Sequence, residues 1–461
     1  MSPAQPRSRF AAALRELLAL ALPIAGVQVG LLLMGTVEAL IVGHVSAVAL
    51  AAVALGHTYF FAAFVFGLGV MYALDPLMAQ GLGAGDELQV TLAVQRGLIL
   101  AVALAVVSAA IYVPAEAVFR LLGQPDEVVP LAAAFVHASI LGALPALAFL
   151  VFRQALQALR RTRAIVLTIV AANIVNGVLC ATLVFGWFGL PRFGVVGAAW
   201  AGTVARWFMV LLLLVLGWRE LGPRLRPWRG ESTDASALWR LLLLGFPMGV
   251  QVVLEFGVFA IVAVMMGRFG TVAVAGHQVA INLASLTFMV PLGISGAASI
   301  LVGHAVGRND EAGARQAARV AILTGVSWMA LSSSVFVAIP RLLAASYTSD
   351  AGVRDMAALL LPIAGMFQVF DGTQVVSIGV LRGLGDTRAP MWINILGFWL
   401  FGFPVSVALG FSWKLGPVGL WWGFVAGLAA VALLLLARVR HRLRRALTRV
   451  RVDAPAQPAH G

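Results

Sequence analysis

The stretches "FPMGVQVVLEFGVFAIVAVMMG" (246–267) and "LPIAGMFQVFDGTQVVSIGVL" (361–381) decide how this chain reads. Each is an apolar run long enough to cross a bilayer, which takes about 20 residues. Each holds one carboxylate near its middle, Glu255 in the first and Asp371 in the second. An ionised acid there costs about 2.5–3.5 kcal/mol on insertion scales. A chain that carries this cost at two places is using the acids. The plainer reading is that each acid is neutral and hydrogen-bonded to a neighbouring helix.

Runs of the same kind fill the rest of the chain. Of its 461 residues, 61% are hydrophobic and 11% charged, against about 25% charged in a soluble domain. The apolar residues come in long blocks and not in amphipathic stripes, which excludes a peripheral protein. The short alternating segments of a barrel are missing, so the fold class is an all-α integral membrane protein. Twelve transmembrane helices are expected at 17–43, 48–77, 92–114, 128–152, 164–187, 194–217, 239–266, 272–302, 318–339, 356–381, 389–411 and 416–437. Pro23, Pro247 and Pro291 fall inside spans and mark bend points. The apolar run after the basic N-terminus continues past Gly30 with no cleavage site, so the first helix is read as kept. One cysteine, Cys180, allows no disulfide within the chain.

The net charge of +13 raises a nucleic-acid reading, and the distribution of the charge removes it. Lys414 is the one lysine, and the arginines sit in short loops and in the tail. Most fall on the side shared with the N-terminus, while Arg120, Arg192, Arg268, Arg341, Arg354 and Lys414 fall on the other. That bias is a topology signal, and it puts both termini in the cytoplasm. It predicts a multi-pass protein of the bacterial inner membrane.

The chain also repeats itself. Pro23 matches Pro247, Gly43 matches Gly267, Val48-Ala49 matches Val272-Ala273, and Asp86-Glu87 matches Asp310-Glu311, all at one offset. Two six-helix lobes, 15–217 and 238–437, follow from this, related by a pseudo-two-fold along the membrane normal. They are joined by a cytoplasmic linker at 218–237 and flanked by an N-terminal tail at 1–14 and a basic tail at 438–461. Two parallel lobes are the architecture of an alternating-access transporter.

The acids inside spans are Glu38, Glu255 and Asp371, with Asp75 near the end of the second helix. A desolvated carboxyl group can take up a proton and release it to a wetter side, and when ionised it can hold Na+ or an organic cation. It does not hold a proton and a cation at once, and that exclusion is the physical basis of antiport. Gln251, Gln278, Asn282, Gln368 and Gln374 lie near the second-lobe acids in sequence. They are substrate-cavity candidates or, more plainly, interhelical hydrogen-bonding groups. Phe288 and Phe367, with neighbouring aromatics, line a cavity for flat cations or else pack the core. Asn173 and Asn176 share a helix face and would form a polar site beside Glu38. Arg206 either neutralises a buried acid or snorkels to the interface, and the second is favoured. His44 and His57 read as belonging to the external loop and helix mouth. No phosphate loop, metal cluster or nucleophile–base pair is seen, so no enzyme and no cofactor is expected.

At "GTVEALIVGHVSAVALAAVALG" (35–56), "VAGHQVAINLASLTFMVPLGISGAASILVGHAVG" (274–307) and "FDGTQVVSIGVLRGLGDTRAPMWINILGFWLFGFPVSVALG" (370–410), the sequence resembles the multidrug and toxic compound extrusion (MATE) family, in its NorM-like branch. The resemblance spans about residues 15–435. It implies export of cationic, often aromatic, compounds by a monomer in contact with membrane lipid, against inward Na+ or H+. It implies a second-lobe cation site, for Na+ if Na+ is the coupling ion, at Glu255 and Asp371. It also implies a first-lobe proton or drug site at Glu38 with Asn176. Two departures stand out: Glu38 is one methylene longer than the family's Asp, and Cys180 stands where the family has a second polar partner. Asp75 is an acid that the resemblance does not explain. The rival cargo is a lipid-linked precursor, moved by a flippase of similar architecture. Its pyrophosphate would need a basic cavity, and Arg206 is the one base within a span.

Overall fold

The structure is a computed structural model, and it describes residues 6–453; the ends of both tails, 1–5 and 454–461, lie outside the described residues. Among the described residues it is all helical, with twelve helices long and apolar enough to cross a membrane. They are α1 (Phe10–Gly43), α2 (Ala47–Gly83), α3 (Glu87–Tyr112), α4 (Val129–Ala158), α5 (Thr162–Phe185), α6 (Gly194–Leu216), α7 (Ala235–Phe269), α8 (Thr271–Gly307), α9 (Glu311–Ala338), α10 (Ala351–Gly383), α11 (Arg388–Ser412) and α12 (Gly416–Leu443). Each overlaps one expected span, and most run further at their ends. The chain is a multi-pass membrane protein.

Local sequence explains where these helices start and stop. Ser46 caps α2 by accepting from Ala49 N, and Asp86 and Asp310 cap α3 and α9 by accepting from Gln89 N and Gly313 N. A side-chain oxygen at this position satisfies an amide that the helix cannot. The matching Asp86 and Asp310 are thus the repeat expressed as structure. Pro23, Pro247 and Pro291 lie inside α1, α7 and α8, which run on as helix on both sides.

Two compact units divide the described chain. One takes α1 up to Gly26, Gly83–Gly85 and Val250–Val450; the other takes Val27–Leu82, Asp86–Gly249 and the chain from Arg451. The boundaries fall within α1 and α7.

In the unit built on α8–α12, small residues let helices meet backbone to backbone. Gly379 and Gly383 of α10 face Ser295 and Ser299 of α8, and a β-carbon at Gly383 would lie 2.6 Å from the Ser299 carbonyl oxygen. Such small-residue pairs are how helices associate where lipid removes the hydrophobic drive. This contact sets the height of α10, and with it that of Asp371. In α11 the ladder widens to π-type turns at Ile395–Gly402 and Ala408–Ser412.

In the other unit, the segment between α6 and α7 is ordered and tied to α3. It forms a short helix (Trp218–Leu225) and a 3-10 turn (Gly230–Thr233). The buried Gln95 donates to the carbonyls of Arg224 (3.0 Å) and Pro227 (3.1 Å) and accepts from Arg229 N (2.9 Å). Arg96 donates to Glu231 O (2.8 Å) and pairs with Asp453 (2.6 Å). Arg240 donates to Val452 O (2.6 Å).

Candidate functional site

The middle of α7 brings Glu255 against α10. Glu255 Oε1 accepts from Gln374 Nε2 at 3.0 Å. Gln374 sits on α10 three residues after Asp371, so it lies on the same helix face. Glu255 and Asp371 are close enough for their charges to act on each other. Asp371 is 6% exposed and Gln374 is fully buried. Gln374 Oε1 has no hydrogen-bond partner. Two carboxyl groups and a buried amide therefore lie in one neighbourhood of an apolar unit.

The backbone beside Glu255 is held from α11. Trp399, in the first widened turn, donates its indole N–H to Leu254 O at 3.2 Å. The ring comes this close because Gly257 has no side chain: a β-carbon there would be 3.3 Å from Trp399 Cζ2. Widened turns of this kind collect at functional sites.

The neighbouring polar candidates divide by position. Gln368, one turn before Asp371, is fully buried, and its Oε1 accepts from Ser332 (2.7 Å) and Thr287 (3.0 Å). Gln368 Nε2 has no partner. Gln251, one turn before Glu255, is 5% exposed. Gln278 and Asn282 bond to each other at 3.1 Å on an exposed face of α8. Phe367 is 2% exposed, with its ring centroid 6.0 Å from Phe259, 5.9 Å from Trp421 and 6.0 Å from Phe424. Its packing is that of a core residue. Phe288 is half-buried against the same core.

The other unit holds Glu38 on α1, 3% exposed. Its Oε2 lies 2.8 Å from His57 Nε2 on α2. His57 therefore sits in the helix three turns past the α1–α2 loop, and not at the mouth where the sequence places it. His44 is in that loop, bonded to Leu40 O. Arg206 on α6 also departs from its favoured reading. Its guanidinium lies over the Phe60 ring at 4.7 Å and within the field of Glu38 and Tyr112. A β-carbon at Gly202 would touch Glu38 Oε1 at 2.9 Å and Arg206 at 3.6 Å, so acid and base flank the same glycine. The guanidinium thus lies against an aromatic face with the acid nearby.

The α5 candidates behave differently from each other. Asn173 donates to Gly30 O (3.0 Å) and Ile169 O (2.9 Å). Asn176 is fully buried, and both its amide atoms lack partners. Cys180, one turn on, is buried within the field of Glu38. The sequence places His57 at the helix mouth, yet a signal for its pairing with Glu38 was there. Helices joined by a tight turn run antiparallel, so residues two or three turns from that turn on either side come into register.

Among the described residues no group of three or more His, Cys, Asp or Glu is placed to hold a metal ion.

Comparison with known proteins agrees with this architecture. A family model described as MatE matches the chain twice, at residues 23–182 and 247–408, beginning at Pro23 and Pro247. The chain is 36% identical to a probable multidrug resistance protein NorM of Rhizobium meliloti (strain 1021), covering 94% of each. It is 34% identical to the multidrug resistance protein MdtK of Edwardsiella ictaluri (strain 93-146), covering 92% of this chain and 95% of that protein. Its fold is that of the eukaryotic MATE transporter AtDTX14, with a TM-score of 0.87 at 22% identity over 95% of this chain and 98% of that one. It is also that of the Vibrio cholerae MATE transporter VcmN, with a TM-score of 0.84 at 18% identity over 95% and 98%. With both halves matched to one family model and full-length relatives above 30% identity, the chain belongs to the MatE family, the multidrug and toxic compound extrusion transporters that its sequence resembles.

Proposed function

We propose that the protein is a secondary active antiporter of the bacterial inner membrane, acting as a monomer with both termini in the cytoplasm. It exports cationic or aromatic drugs and toxic compounds against inward Na+ or H+. The observation that carries this reading is that Glu255, Asp371 and the buried Gln374 amide lie in one neighbourhood inside an apolar unit. The donor set is all oxygen, which suits a hard cation and equally a proton. In this reading Glu255 and Asp371 bind the coupling ion. Gln374 orients Glu255, and Trp399 holds the turn of α7 that carries it. One elementary charge moving through about 100 mV supplies about 2.3 kcal/mol, enough to drive a gradient of about fifty-fold. The names of the NorM and MdtK relatives support drug export as the cargo class.

The test is transport of a fluorescent organic cation into proteoliposomes, with a Na+ gradient or a pH gradient imposed separately. Export is expected to follow at least one gradient, and Glu255→Gln or Asp371→Asn is expected to lower it at least tenfold. If a properly inserted neutral variant transports at the parental rate, the assignment of the coupling pair is wrong.

A further inference from the structure

Glu38 is not a lone acid. It stands between a permanent positive charge, Arg206, and a switchable one, His57. Of these side-chain types, imidazole is the one that changes charge between pH 5 and 8. Exposure separates the two partners of the pair: 28% of the His57 side chain is exposed, against 4% for Glu38. The imidazole is thus the more accessible member of the pair.

Other titratable and aromatic groups face the pair from the helices packed around it. On α3 the Tyr112 hydroxyl donates to Phe60 O, and on α2 the Tyr59 hydroxyl donates to Ile111 O. On α4 the neighbour of His57 is the Phe135 ring, 4.8 Å away, while His137 is turned to Val113 O. Cys180 on α5 and Arg206 on α6 complete the shell.

We propose that His57 is the proton-bearing residue of this unit, and that its proton and an organic cation compete for Glu38. With His57 neutral, Nε2–H still donates to Glu38 Oε2, the proton having left from Nδ1. The three groups then sum to zero charge, and one cation brings them to +1. With His57 protonated, the same cation would bring them to +2 in a desolvated site. Proton arrival at Nδ1 therefore expels the cation, and proton loss readmits it. The assignment rests on the antiport reading above, and it gives this unit a proton step whichever ion binds at Glu255 and Asp371.

The test is equilibrium binding of ethidium, and separately of tetraphenylphosphonium, to the purified full chain between pH 5.5 and 8.5. Parental affinity is expected to weaken about tenfold per pH unit on the acid side, as one proton displacing one cation requires. His57→Gln should flatten the curve to within about twofold, and His57→Lys, which fixes the charge, should hold the parent's weak acid-side affinity at every pH, about tenfold or more below the parent on the alkaline side. Three results would each overturn the proposal: a parental slope that survives in His57→Gln, the parent's alkaline-side affinity in His57→Lys, or a slope abolished only by Glu255→Gln. If His57→Gln does not fold, the parental curve and His57→Lys decide, and a flat parental curve overturns it. Failure of the parent to bind either cation at any pH, or to transport under either gradient, sinks the antiport reading itself.

Discussion

At the scale of single residues, the two units show two ways of keeping a carboxyl group inside an apolar helix. Glu255 is held by a neutral amide, Gln374, and faces a second acid. Glu38 is held by an imidazole and flanked by a guanidinium. A hydrogen bond to a charged group contributes about 1.5–3 kcal/mol. Gln374→Leu keeps the volume and removes the bond, so cation transport should fall about tenfold or more with insertion unchanged. A parental rate in this variant, measured in the proteoliposome assay, would mean that Gln374 only packs.

At the scale of elements, what matters is how closely helices approach. α10 lies on α8 through Gly379 and Gly383, with the Ser295 and Ser299 backbone at the contact. A bulky side chain at Gly383 has nowhere to go, because the obstacle is backbone. Gly383→Leu should lower the thermal unfolding midpoint in detergent and cost about 1–3 kcal/mol or more, as overpacking does. Gly35→Ala in α1 meets nothing within 4 Å. It should leave the midpoint unchanged or raise it, by up to about 0.5–1 kcal/mol of helix propensity. Equal effects of the two changes would refute the contact. The segment between α6 and α7 offers a second test. Gln95→Leu removes three hydrogen bonds from that segment at once. Trypsin should then cut after Arg224 and Arg229 several-fold faster than in the parent, and an unchanged digestion rate would show that the segment is held by other contacts.

At the scale of the whole molecule, the loop charge predicts orientation. Cys180 is buried and is the one native thiol, so it gives little labelling background. Thr233→Cys, in the arginine-rich segment between α6 and α7, should stay unlabelled by an impermeant maleimide in intact cells and react after lysis. Leu121→Cys, on the 87% exposed residue between α3 and α4, should label in intact cells. The reverse pattern would invert the topology. The family model's two matches start at the matching prolines Pro23 and Pro247, so the halves are visible at this scale in the sequence and in the comparisons alike.

Much of the architecture was legible without coordinates, because a bilayer allows few solutions. Long apolar runs must become helices, and their number follows from counting. The repeat is legible because matched prolines and Asp caps keep matched jobs. The acids Glu38, Glu255 and Asp371 could be named from sequence, since a charge in an apolar run stands out by its cost. Their partners could not. Gln374 was one of several amides, and only its place on the α10 face turned to α7 singles it out. His57 looked like a residue of the helix mouth until the α1–α2 hairpin set it against Glu38. Arg206 reads as a snorkelling side chain in the sequence, and only the fold puts the Phe60 ring and Glu38 beside it. The sequence alone thus determined the solvent, the helices, the repeat and which charges are costly. The tertiary structure decided which group stands beside each charge, because a partner is chosen by distance across helices and apolar periodicity carries no record of that distance.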